Sequence, residues 1–370
     1  MLVAKNYVVT VLGGGEYIRC MKTVTGNMVW ETSIASGKHR ARLAIAETDG
    51  GDGIAVLAAG KLTVFQLNTG HSVFSSNLPE STTVRYTMLD SNGGELSVIG
   101  IAPNSHFIIS TYSEDGVVKS KYSVPAAWAT DETSCLVVAH TTLVCLESRS
   151  AVLHSLALDA PTAFQSVLLQ DLALTSLEAP SIEAFRKSSG KSKEFLLRAS
   201  HSQSAVLRVA SGTVQLVKIL DGVNIAQVGQ LGDTRVLLAV SGSSSANLSL
   251  KGYNMATGEE MGEYSQMFHY PDHGTPEKMY VMLFHKKDGS NGYRILLTSQ
   301  DHSLNMLHQS GKVAWTREES LASIVSVEMV DLPLSKIQAE MEDFGTRGGE
   351  SFYLCKQQWE TFKFSVVLPQ

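Results

Sequence analysis

The sequence predicts an all-β chain built as a β-propeller of about seven four-stranded blades. Three observations predict it. A glycine turn recurs at a near-constant interval, short apolar strands flank each turn, and the chain is rich in apolar residues but poor in charge.

The turn is clearest towards the two ends, where Thr25-Gly-Asn-Met-Val-Trp30 is echoed by Ser310-Gly-Lys-Val-Ala-Trp315. Equivalent glycines stand at Gly26, Gly70, Gly116, Gly212, Gly258 and Gly311, at intervals of 44, 46, 96, 46 and 53 residues. The interval of 96 spans two units. The hidden one is Leu143-Val-Cys-Leu-Glu-Ser-Arg-Ser-Ala-Val-Leu-His154, where Ser148-Arg149 replaces the glycine turn. A period of about 40–50 residues is that of one propeller blade.

The strands follow in order. The first unit holds Tyr7-Val-Val-Thr-Val-Leu12, the turn Gly13-Gly-Gly15 and Tyr17-Ile-Arg-Cys-Met21. The second holds Ile54-Ala-Val-Leu-Ala58 and Leu62-Thr-Val-Phe65. The last holds Tyr280-Val-Met-Leu-Phe-His285, Tyr293-Arg-Ile-Leu-Leu-Thr298 and Ser303-Leu-Asn-Met-Leu-His308. A blade is covered on both faces, so many of these strands are apolar throughout instead of alternating.

Each turn glycine is there because a tight hairpin needs positive φ. Four residues on, the outermost strand carries Trp30, Phe74, Ser120, Leu216, Gly262 and Trp315. Trp30 and Trp315 are expected to wedge between blades. Five residues before the glycine the pattern holds better, with Met21, Phe65, Thr111, Leu207, Tyr253 and Met306.

Of the 370 residues, 44% are hydrophobic and 18% charged, and the net charge is −6. That balance argues against nucleic-acid binding. The basic run from Arg186 to Lys193 reads as a solvated loop. No apolar run approaches the ~18 residues of a membrane helix. The first residues lack a basic segment followed by a long apolar one, so composition alone reads as a soluble, untargeted chain.

No catalytic signature emerges, and no cofactor or metal site can be named. Gly13-Gly-Gly15 lies between strands and reads as a hairpin turn. His269-Tyr-Pro-Asp272-His273 is compact, but Pro271 argues for a loop over a metal-binding helix. Ser200-His201-Ser202 reads as turn chemistry. The four cysteines are Cys20, Cys135, Cys145 and Cys355, with no Cys-x-x-Cys pair. Cys135 and Cys145 are symmetric about His140, and a hairpin centred there sets them face to face. Spacing leaves open a disulfide or two reduced thiols. Asn247-Leu-Ser249 is an N-glycosylation sequon whose use depends on the same question of compartment.

The segment Lys312 to Glu342 carries Trp315-Thr-Arg-Glu-Glu-Ser320, then Glu328-Met-Val-Asp-Leu-Pro-Leu334, then Gln338-Ala-Glu-Met-Glu342. These phrases strongly resemble subunit 1 of the endoplasmic reticulum membrane protein complex. Weaker similarity runs through Gly292 to His302, Leu78-Pro-Glu-Ser81 and Gly26-Asn-Met-Val-Trp-Glu31, covering about residues 1–345. The resemblance implies a quinoprotein-like propeller on the lumenal side of a type I membrane subunit. It implies a non-catalytic scaffold, with the complex's other subunits as partners. The assembly inserts tail-anchored and multipass proteins. The oxidising compartment then implies a Cys135–Cys145 disulfide and a glycan on Asn247.

The family's leader, at least one earlier blade, its second propeller and its membrane anchor are expected to be missing, which reads as a fragment. Membrane contact would then come only through that absent C-terminal region or through partners. The expected domains are a propeller over 1–330, a connector over 331–346 and a divergent, disordered tail over 347–370. Leu334, Ile337, Met341 and Phe344 give the connector a short amphipathic helix starting at Pro333. Two rival functions share the fold. One is a quinone-cofactor dehydrogenase, which would use an adjacent cysteine pair and a calcium site. The other is a soluble propeller adaptor for protein interactions.

Overall fold

The computed structural model describes residues 2–318 apart from 5, 13–15, 24, 35–40, 49–50, 81, 131–132, 175–176, 186–192, 201–202, 232–233, 243–246, 271–274, 286–288, 302 and 310, together with 326–328 and 365–367. Seven four-stranded antiparallel sheets succeed one another, each a meander of consecutive strands. They run from Leu2–Ala4 to Met28–Ser33, Arg42–Thr48 to Ser72–Asn77, and Arg85–Asn92 to Val118–Pro125. Then come Ser134–Val138 to Gln165–Leu168, Ser181–Ala184 to Thr213–Asp221, Val223–Leu231 to Glu260–His269, and Pro276–His285 to Lys312–Glu318. This is the seven-unit array that the glycine spacing predicts.

The chain forms two compact units, one of residues 1–123 with 323–370 and one of residues 124–322. The first contains three of the sheets and a short pairing of Ser326–Glu328 with Ser365–Val367. Residues 365–367 of the expected tail are therefore in a strand. The connector over 331–346, with its expected helix, lies outside the described residues. The second unit contains the other four sheets.

The continuous apolar strands have a direct explanation. On Gly51–Ala58 the last six residues are buried. Ile54, Val56 and Ala58 pack with Val9, Ile18 and Trp30 of the first sheet. Ala55 and Leu57 point the other way and pack with Tyr86, Val98 and Tyr112 of the third. The second unit repeats this: Phe195 and Leu197 join Val144 and Leu153 of the fourth sheet, while Leu196 joins Leu237 and Ala239 of the sixth. A period of two thus feeds two cores at once. The fourth strands differ, and Ser72–Asn77 has no buried residue.

All six predicted turn glycines are left-handed, with φ of 69° at Gly26, 73° at Gly70, 84° at Gly116, 77° at Gly212, 75° at Gly258 and 78° at Gly311. In the fourth sheet the turn falls at residues 148–151, and Ala151 takes the left-handed position with φ 53°.

The structure adds a second reason for glycine that the spacing did not show. A Cβ on Gly70 would lie 2.6 Å from Trp30 Cγ, and one on Gly116 would lie 2.6 Å from Phe74 Cδ2. The aromatic of one sheet therefore seats on the turn of the next. Trp30 is 8% exposed, and its Nε1 donates to the Leu67 carbonyl at 2.8 Å. Phe65 lies beside it, ring centroids 5.9 Å apart. Smaller or polar groups fill this role in the second unit. Ser155 Oγ donates to Gly212 O at 2.7 Å, and Lys218 Nζ donates to Gly258 O at 2.9 Å. Gln266 lies against Gly311.

Trp30→Ala should cost about 3–5 kcal/mol in the denaturation of the first unit. Gly70→Ala should cost more in the native background than beside Trp30→Ala, where only the left-handed backbone penalty of about 1–2 kcal/mol remains. Equal costs in the two backgrounds would show that Trp30 does not dictate the glycine.

Candidate functional site

The fourth sheet brings together the residues with most chemical character. Ser134–Val138 and Thr142–Glu147 form a hairpin turned by Ala139 and His140, with φ of 54° and 62°. The Thr141 N–H donates to Val138 O at 3.2 Å. Val138 pairs with Thr142, so the loop is the three residues 139–141, and the two left-handed ones let it close so tightly. The register centred on His140 sets Cys135 opposite Cys145, and a disulfide joins them, with Cα atoms 4.1 Å apart.

The same row continues across the sheet. Cys145 stands opposite His154, and His154 opposite Ser166. Directly paired residues share a face, so the disulfide, the imidazole and the hydroxyl lie in line. His154 is only 4% exposed. The Glu147 carboxylate can only accept, so His154 Nε2 donates to it at 3.2 Å and Nδ1 accepts from Ser166 Oγ at 2.9 Å. Trp128 lies flat on the imidazole, centroids 3.6 Å apart and planes 3° apart. Phe164 meets Trp128 edge-on at 5.1 Å.

Burial pulls the His154 pKa below its ordinary 6.5, and Glu147 opposes this only in part. The Glu147 pKa is lowered first by the Ser150 hydroxyl that donates to it, and further by His154. The imidazole is thus held neutral with both nitrogens engaged. The arrangement packs and aligns the sheet; it offers no free nitrogen for a ligand.

Two other polar clusters join neighbouring sheets. Glu194, 3% exposed, accepts from Arg208 at 2.9 Å within the fifth sheet and from Arg235 of the sixth at 2.7 Å. In the seventh, fully buried Asn305 donates to Tyr270 Oη at 2.8 Å and to Ser303 Oγ at 2.6 Å, and accepts from Thr316 Oγ1 at 2.7 Å.

The remaining sequence candidates fall as follows. Asn247 is the exposed first residue of Asn247–Asn254, opposite His269. His269 closes the strand Glu260–His269, and residues 271–273 of its cluster lie outside the described residues. Ser200 is buried, while His201, Ser202 and residues 186–192 of the basic run also lie outside them. Trp315 is half-buried on Lys312–Glu318, opposite Met306. Cys20 is buried, and burial raises its thiol to about 11. Among the described residues no group of three or more His, Cys, Asp or Glu is placed to hold a metal.

Sequence reasoning found the cysteine register but missed Trp128, Glu147, His154 and Phe164. The only signal was the register itself: extending it one strand further places His154 beside Cys145. The stacking of Trp128 on His154 has no local signature.

His154 binds a proton less readily folded than unfolded. Its contribution is therefore complete above pH 6.5 and is lost as pH falls from there through the lower folded value. Glu147, also lowered, adds a loss below its ordinary 4.5. His154→Gln should flatten the dependence of Tm on pH between about 7 and 5. Removing the cross-link, as Cys135→Ser with Cys145→Ser, should cost about 2–3 kcal/mol in denaturant, from loop entropy over the 10-residue separation.

A family model described as the EMC1 N-terminal beta-propeller domain matches residues 1–319. The Gallus gallus protein named ER membrane protein complex subunit 1 is 30% identical over 385 aligned residues, covering 94% of this chain and 39% of its own length. Its Xenopus laevis namesake is 29% identical over 372, covering 91% and 38%. This chain thus spans about two fifths of the length of these curated relatives. Among solved structures, Saccharomyces cerevisiae Sqt1 superposes with a TM-score of 0.55 at 10% identity, covering 90% of this chain and 87% of that one, a likeness of fold alone. The repeated sheets, the glycine-and-aromatic turns and the match over residues 1–319 lead to one conclusion: the chain belongs to the EMC1 N-terminal β-propeller family.

Proposed function

We propose that this chain is a non-catalytic scaffold of the endoplasmic reticulum membrane protein complex. It would lie on the lumenal side and contact other subunits of an assembly that inserts tail-anchored and multipass membrane proteins. The family match over residues 1–319 carries this reading. Two structural features support it. The Cys135–Cys145 disulfide suits an oxidising compartment. The fourth strand of each of the first six sheets also exposes a large apolar side chain: Met28, Val73, Val118, Leu168, Leu216 and Met267. Edge strands of this kind present unpaired backbone groups beside apolar contacts, which suits partner subunits.

Two measurements on the protein expressed from its complete coding sequence test the proposal. In sealed microsomes the propeller should resist added protease until detergent is present, and affinity purification should recover the complex's other subunits. Digestion without detergent, or recovery without those subunits, would overturn it.

A further inference from the structure

The surface around Asn247 contains an apolar side chain that the sheet packing leaves unused. Asn247 and Leu248 begin the third strand of the sixth sheet, paired with Glu260–His269. In this register Asn247 faces His269, Leu248 faces Phe268 and Ser249 faces Met267. Burial alternates with it: Leu248 and Phe268 are buried, while Asn247, Met267 and His269 are exposed. Met267 is 58% exposed, among the most exposed large apolar residues described. Because paired residues share a face, Met267 lies on the same face as Asn247, one strand over and two residues along. The sequon's Ser249 lies directly opposite Met267.

We propose that Asn247 carries an N-linked oligosaccharide and that its first sugar covers Met267. The proposal rests on the lumenal reading above. In the transfer, the Asn247 carboxamide nitrogen forms a bond to the anomeric carbon of an N-acetylglucosamine residue. The bond between that carbon and a polyprenyl pyrophosphate breaks, the pyrophosphate leaves with the electron pair, and the amide proton passes to the transferase's base. No redox change occurs. Ser249 supplies the hydroxyl that the transferase requires two residues on. Once folded, the exposed end of the strand leaves the glycan in solvent, and the apolar face and acetamido methyl of the first sugar pack on the thioether side chain.

The test uses the protein expressed from its complete coding sequence in secretory cells. Enzymatic removal of N-linked glycans converts a modified Asn247 to aspartate, read in the mass of its peptide, and removes one step of gel mobility. Asn247→Gln and Ser249→Ala should each abolish that step, and Ser249→Thr should keep it. A control variant, His106→Thr, creates a sequon at Asn104, which is exposed in a turn of the first unit. If Asn104 is modified and Asn247 is not, the proposal fails while the lumenal reading stands. If neither is modified and Cys135 and Cys145 are free thiols, both fall. The covering role has its own readout: dilute peroxide should oxidise Met267 about threefold faster after glycan removal. Equal rates would show that the sugar does not cover it.

Discussion

Burial on both faces is the constraint from which the rest of this structure follows. A sheet whose second and third strands are apolar on both sides has no solvent-facing side, so each needs a neighbour. Alternate residues of one strand supply alternate cores, as Ile54 and Val56 do for one and Ala55 and Leu57 for the other. The joints are then locked at the turns, where an aromatic, a hydroxyl, an amide or an ammonium reaches from one sheet to the next. Glu194 adds a charged version of the same bond. Its carboxylate is buried between guanidinium groups of adjacent sheets, so removing either arginine would leave a charge out of water with part of its compensation gone.

What the sequence revealed depended on how local each cause was. A left-handed turn is fixed by one residue, so the six glycines could be read at once, and the period followed from them. The fourth turn has no glycine, and the sequence places Ser148-Arg149 in its stead. The left-handed burden falls instead on Ala151, the last residue of that turn. The Cys135–Cys145 register was equally local, because ten residues around one centre define it. What occupies the space under each turn is a different matter, since it comes from the preceding sheet, some 40 residues upstream in the case of Gly70 and Trp30. No spacing rule within one unit could separate a glycine needed for φ from one needed to admit an indole ring.

The histidine stack was hidden for the same reason. Trp128 precedes its sheet and His154 sits on the third strand, so only the folded sheet brings them together. A neutral imidazole between a carboxylate and a hydroxyl, covered by an indole, resembles a catalytic constellation in composition alone. Both nitrogens are committed to neighbours and the ring is buried, which makes it an internal brace. Like the Glu194 carboxylate between its two guanidinium groups, these polar groups serve to hold strands and sheets together.

The covalent link in the fourth sheet has a consequence for the order of events during synthesis. Its two sulfurs belong to one hairpin, ten residues apart, so they can meet as soon as that hairpin emerges, before any of the three following sheets exists. Hairpins form in microseconds, whereas a ribosome adds about 5–20 residues each second. The cross-link can therefore fix the register of one sheet in the nascent chain and give the next an already aligned surface on which to assemble.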